Sequence, residues 1–253
     1  MLPGVDPPPT MPITVPPTTS TSVVTTTTLA EDATSTTHRT LPPAGSGRYE
    51  IITSGPEVSG GLALTFDDGF CDECIAGLVA GVERTGAHVT LCPNGVYGSG
   101  AWNRHAPRIR VLIDKGQVAI CNHTWSHKDL TKLGADQIRT ELTRNERWIE
   151  ATFGVSSLPY YRPPYGRHNA TVDRIAAELG YTGVLMWSGS VGDSYTHVRD
   201  EVLDNMQNAV KTGAIILAHA NHPVTVEVFD ELMHITEVAG LRTVTVPELL
   251  ATP

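Results

Sequence analysis

No apolar run in this chain is long enough to cross a bilayer, and none follows a charged start in the manner of an export signal. Positive charge is scarce as well. Lys and Arg total 18 against 27 Asp and Glu in 253 residues, a formal charge of −9, which argues against the basic footprint of a nucleic-acid binder. Only four cysteines occur, Cys71, Cys74, Cys92 and Cys121, and no internal repeat is evident. Their spacings do not match the paired-CxxC pattern of a four-cysteine zinc site, while the isolated CDEC pair suits a redox, metal-binding or structural role. In an exported protein they imply one or two disulfides, with the pairing open.

Large apolar side chains are few from Met1 to about Gly47, a run of Thr, Pro and Ser. Such a segment buries too little apolar surface to offset its ordering entropy, so it is expected to be disordered or extended. Ser/Thr-rich composition with Pro marks a stalk-like spacer, often outside the cell. It is similar to the linkers that follow an export signal or membrane anchor, so an extracellular or cell-envelope location is expected. The expected division is a linker and lead-in over residues 1–58 and a folded domain over 59–253.

The folded part is organised around LALTFDDGF, Leu62 to Phe70, where a short apolar strand ends in Asp67, Asp68 and a glycine. Neighbouring side chains on a strand point to opposite faces, so two successive acids cannot both face one core. They make sense at a strand end, turned into a shared site. Two carboxylates that close need something to offset their repulsion, and a cation is the usual remedy. An Asp-Asp-Gly turn is the competing reading.

Further strands are expected at His88–Leu91, Gln117–Ile120, Leu158–Tyr161, Thr182–Met186, Ala214–Ala218 and Arg242–Val244. Between them, helical spacing predicts helices after Cys74 and over Pro107–Lys115, Ala135–Phe153, Val172–Leu179, Val198–Lys211 and Val224–Val238. Strands alternating with amphipathic helices imply an α/β fold of parallel strands. The count suits a deformed (β/α) barrel of seven or eight strands, with a doubly wound open sheet as the alternative.

In either architecture functional groups gather beyond the carboxyl ends of the strands. Five strand ends here carry such groups: Asp67 and Asp68, His123 and His127, Arg162, Asp193, and His219. The HTWSH pattern sets two imidazoles four residues apart, near enough to share an ion on a helical turn or in a tight loop. With a carboxylate they make a His-His-Asp set that suits zinc with an open position, and equally non-haem iron. Iron sites of that kind are usually built on antiparallel strands, which this alternation does not supply. The sequons at Asn122 and Asn169 read as incidental, since a glycan on Asn122 would block the site.

Taken in order, TFDDG, HTWSH, RPPYG and the LAH of Leu217 to His219 resemble the NodB-homology polysaccharide deacetylases, carbohydrate esterase family 4, over about Gly60 to Ala251. The resemblance implies a deformed barrel, one divalent metal, usually zinc, and removal of acetyl groups from acetylated sugars. It implies that Asp68, His123 and His127 hold the metal, and that Asp67 is the base, oriented by Arg162. His219 would be the acid for the departing amine, kept protonated by Asp193. The backbone N–H of Tyr165 would steady the oxyanion, and Leu217 would line the acetyl pocket.

Two positions depart from that family. Ser194 stands where a Trp usually follows the Asp, leaving Trp187 either to replace it in the pocket wall or to serve as core packing. Phe70 stands in place of a Pro. The implied partner is an acetylated cell-envelope polysaccharide, peptidoglycan or chitin-like, acted on by a monomer that neither binds nucleic acid nor inserts in a membrane. An O-acetyl esterase of the xylan type and a non-catalytic sugar-binding envelope protein are the alternatives.

Overall fold

The computed structural model describes residues 40–57 and 60–251. Most of the Thr/Pro-rich segment, residues 1–39, lies outside them. The described chain opens with β1 (Glu50–Ile52), β2 (Gly61–Asp68), α1 (Asp72–Thr85), β3 (Val89–Pro93), α2 (Gly95–Asp114) and β4 (Val118–Ile120). It continues through α3 (Ala135–Phe153), β5 (Tyr160–Tyr161), α4 (Ala170–Glu178), β6 (Gly183–Leu185) and β7 (Gly189–Ser190). α5 (Arg199–Ala209), β8 (Ile215–His219), α6 (Pro223–Glu227), α7 (Phe229–Val238), β9 (Arg242–Thr243) and α8 (Val246–Ala251) complete it.

All the strand ladders are parallel. One sheet runs β4-β3-β2-β8-β7, a second β1-β6-β5, and β9 lies against the start of β2. Two isolated bridges join the sheets. Asn122 meets Tyr161 between the end of β4 and β5, and Ser54 meets Ala214 between the chain after β1 and the start of β8. Seven strands, β4-β3-β2-β8-β1-β6-β5, thus form a ring with two weak seams, and β7 pairs with β8 beside the second seam; this is the deformed barrel and not the open sheet.

The period of two in β2 decides what each side chain meets. Leu62, Leu64 and Phe66 pack outward with Ile75, Leu78, Val79 and Val82 of α1 and Phe229 of α7. Ala63 points inward with Ile52, Cys92, Cys121, Leu185 and Ile215. Thr65 and Asp67 continue that inner row, and every residue of β2 except Asp68 is buried. A strand walled on both faces reads as a near-continuous apolar run, and this one does.

Several expected elements change. The lead-in contributes β1, paired with β6, so the packed fold begins ahead of the boundary at 58/59 that composition suggests. Leu41 packs against the inner cluster and Gly45 N donates to Ala177 O at 3.2 Å, so the last residues of the expected tail are held in place. The helix expected from Pro107 starts at Gly95 and carries Pro107 inside it. Within its added N-terminal turns, a Cβ on Gly98 would lie 2.0 Å from Trp102 Cδ1, so close packing requires its absence. The helix expected over Val224–Val238 is two, divided at Val228. β7 and α8 were too short and too weakly patterned to be anticipated.

Candidate active site

Asp67 is 3% exposed and Arg162 not at all. Arg162 Nη1 donates to Asp67 Oδ1 at 2.7 Å and to Thr65 Oγ1 at 2.8 Å, while its Nε donates to Leu185 O at 3.1 Å. The guanidinium therefore spans the barrel interior from β2 to β6 and fixes the carboxylate at the strand end.

Asp68 turns the other way because the chain leaves the strand at that residue, with φ of 69°. Its carboxylate lies 3.5 Å from His123 Nε2 and 3.4 Å from His127 Nε2. One ligand atom from each of the three residues falls within 4.8 Å of the others. His123 Nδ1 donates to Arg162 O at 2.9 Å, which fixes the ring with Nε2 facing Asp68. Burial pushes His127 down to about 4, so the imidazole stays neutral at pH 7. Burial opposes charge on Asp68, but the neighbouring imidazoles and the Asn221 amide hold its carboxyl down at about 2. An ionised carboxylate at Asp68 and a neutral imidazole at His127 are protonation states that a divalent metal requires. The residues fit such an ion.

HTWSH is a loop and not a helical turn. Glu141 of α3 braces it, accepting from Ser126 N at 2.7 Å and Ser126 Oγ at 2.5 Å. Among the described residues, the non-glycine positions with positive φ are Asp68, Thr124, His127 and Tyr165, all in these site loops. Such conformations cost about 1–3 kcal/mol each and persist where surrounding structure over-determines them.

Across the pocket, His219 Nδ1 shares a hydrogen bond of 2.8 Å with Asp193 Oδ1, and Asp193 Oδ2 accepts from His219 N and Thr225 Oγ1. Burial works against the imidazolium, but Asp193, with Asp68 and Asp67 further off, outweighs it and raises His219 to about 9. Tyr165 is half exposed, its ring 4.6 Å from that of His127. Leu217 is buried in β8 opposite Thr65. Trp187 packs against the inner cluster, and its ring centroid also lies 5.9 Å from the Arg162 guanidinium.

Residue spacing did not reveal the groups that hold Asp68. Asn221 Nδ2 donates to Asp68 Oδ2 at 2.8 Å, while its Oδ1 accepts from Gly69 N at 2.7 Å and Phe70 N at 3.2 Å. Asn94 Nδ2 donates to Asp68 Oδ1 at 3.1 Å, and Trp102 Nε1 to Asp68 O at 2.8 Å. The available signal was that Asn94 and Asn221 also follow strand ends. Asn122 is fully buried and bonded to Leu142 O and Tyr181 Oη, and Asn169 caps α4. Of the cysteines, Cys71 and Cys74 form a disulfide, and Cys92 and Cys121 are free and buried.

The sequence profile of the polysaccharide deacetylase family matches residues 55–184, just over half of the chain. This chain belongs to the polysaccharide deacetylase family. Within that family it is 25% identical to a peptidoglycan-N-acetylglucosamine deacetylase of Bacillus cereus, over 81% of this chain and 74% of that protein. It is 28% identical to a chitin deacetylase of Arthroderma benhamiae over 84% of this chain, but spans only 57% of that relative's length. The chitin deacetylase structure from Colletotrichum lindemuthianum superposes with a TM-score of 0.72 at 22% identity, covering 84% of this chain and 94% of that one, a likeness of fold.

Proposed function

We propose that the chain is a metal-dependent hydrolase that removes N-acetyl groups from N-acetylglucosamine-containing cell-envelope polysaccharide, peptidoglycan or chitin-like. The observation that carries this reading is one pocket holding an Asp-His-His cluster, a buried Arg-held carboxylate and an Asp-held imidazolium. Asp68, His123 and His127 would hold the metal, with zinc as the proposed ion. When bound, it supplies Lewis acidity at the acetyl carbonyl and lowers the pKa of water to about 7.

The chain's own residues divide the proton work. Asp67, oriented by Arg162, takes the proton of the attacking water. His219, charged at neutral pH beside Asp193, delivers a proton to the departing amine, which an amide needs because its anion leaves poorly. The backbone N–H of Tyr165 would steady the developing oxyanion, Leu217 would line the acetyl pocket, and Trp187 would wall it. The Thr/Pro-rich N-terminal segment acts as spacer to a catalytic domain working as a monomer outside the cell. No helix among the described residues is long and apolar enough to cross a membrane.

Acetate release from N-acetylglucosamine oligomers and from peptidoglycan tests this, comparing zinc-loaded wild type with Asp67→Asn. Release by the wild type that is lost in Asp67→Asn, with metal still bound, is the expected result. Release from acetylated xylan alone would replace the N-deacetylase with an O-acetyl esterase. Sugar binding without release from any substrate would make the domain a binding module.

A further inference from the structure

The CDEC pair lies one residue beyond the catalytic turn and plays no part in deacetylation. Cys71 and Cys74 form a disulfide at the junction between β2 and α1, within a strand–helix–strand unit whose strands pair in parallel. Cys71 is the N-cap of α1 and half-buried, whereas Cys74, in the first turn, is 2% exposed. One sulfur is therefore reachable and the other is covered.

A Cys-X-X-Cys pair at a helix start behaves unlike a bridge between distant elements. The exposed backbone N–H groups and the dipole of the helix favour a thiolate there, lowering its pKa and making it a better leaving group. The loop spans only three residues, so the bond removes little freedom from the unfolded chain and contributes little to stability. Two acidic residues follow: Asp72 is paired with Arg104 and lies 3.2 Å from His105 Nε2, and Glu73 is exposed, where solvent screens its charge.

We infer that Cys71–Cys74 is a thiol–disulfide exchange site, open at Cys71 to small thiols and dithiols. The thiolate of a dithiol attacks Cys71 Sγ. The bond to Cys74 breaks, its electron pair stays on Cys74 Sγ, and that sulfur takes up a proton. The second thiol of the reagent then displaces Cys71, leaving an oxidised dithiol and two protein thiols. Two electrons and two protons have passed to the protein. Cys92 and Cys121 take no part, since both are buried and free, and burial pushes the Cys92 thiol well up.

The test treats the folded protein with reduced glutathione, quenches at intervals, alkylates and locates the label by mass spectrometry. The expected result is reduction of Cys71–Cys74 at least 10-fold faster in the folded protein than in the same chain held in urea, with Cys92 and Cys121 unlabelled. In Cys74→Ser, oxidised glutathione should form a mixed disulfide on Cys71 at least 10-fold faster than it forms one on Cys74 in Cys71→Ser. Reduction no faster folded than unfolded, or equal trapping in the two variants, overturns the proposal. Circular dichroism on each variant separates loss of reactivity from loss of fold.

Discussion

Arg162 and Asp67 form a buried ion pair at 2.7 Å, and the same guanidinium nitrogen also bonds Thr65 Oγ1. Placed on the inner row of β2, Thr65 and Asp67 are read by one rigid fork, which sets the carboxylate's position from two points on its own strand. A lysine has a single nitrogen and cannot also reach Leu185 O on the opposite sheet.

Arg162→Gln should therefore cost stability as well as activity. Removing one partner of a buried pair leaves an uncompensated charge, worth about 3–5 kcal/mol. Urea unfolding should show a loss of that size, and acetate release should fall in Arg162→Lys even under conditions where that variant stays folded. A variant with wild-type stability and turnover would remove the orienting role.

The His219–Asp193 pair makes a pH prediction whose sign is fixed. His219 sits at about 9 in the folded state, above the ordinary imidazole value, so its contribution to stability is complete below about 6.5. It is lost as pH rises through about 9. In the proposed reaction the acid form is also the one that donates, so kcat should fall over that alkaline range. In Asp193→Asn the alkaline limb should move down toward the ordinary histidine range, read from pH–rate profiles.

Asn221→Ala should weaken zinc binding. Its amide orients Asp68 and ties down Gly69 and Phe70 from a loop about 150 residues away, and outer-shell losses of this kind cost about 10–100-fold in metal affinity. Zinc titration of the folded apo-protein measures this directly. An unchanged dissociation constant would reduce Asn221 to a loop tie.

Gly69→Ala should be among the most damaging small substitutions. Gly69 has φ of 107°, and a Cβ there would lie 2.2 Å from Trp102 Nε1, the donor to Asp68 O. Alanine in that conformation costs more than about 1 kcal/mol before any clash is counted. Thermal unfolding should register the loss, and zinc affinity should fall with it because Asp68 moves.

Metal removal offers an independent check on the division of labour. Dialysis against a chelator should abolish acetate release and leave the far-ultraviolet circular dichroism intact, because the barrel is held by its three apolar clusters and not by the ion. Zinc should restore turnover. Unfolding on chelation would assign the site a structural role as well.

Much of the fold was legible because short-range periodicity reports which face is buried. The run LALTF marks a strand walled on both sides, and Ile75, Leu78, Val79 and Val82 mark the face of α1 that covers it. The alternation of such segments dictated a parallel α/β fold, and their polar ends carry Asp67, Asp68, His123, His127, Arg162, Asp193 and His219. What failed locally was short or glycine-rich: β1 and β7 carry too few residues for a period, and Gly95 and Gly98 of α2 are demanded by Trp125 and Trp102 rather than by a turn.

Tertiary structure alone decided the rest. Closure of the barrel rests on single bridges at Asn122–Tyr161 and Ser54–Ala214, and no local pattern encodes which distant edges meet. The clamp of Asn221 on the turn after β2 and the reach of Arg162 to Thr65 depend on where side chains from separate strand ends converge. Residue types and spacing determined which chemistry the chain carries, because backbone sterics and burial act locally. Packing determined which of those groups touch, because contacts across about 100 to 150 residues form only once the strands have closed on one another.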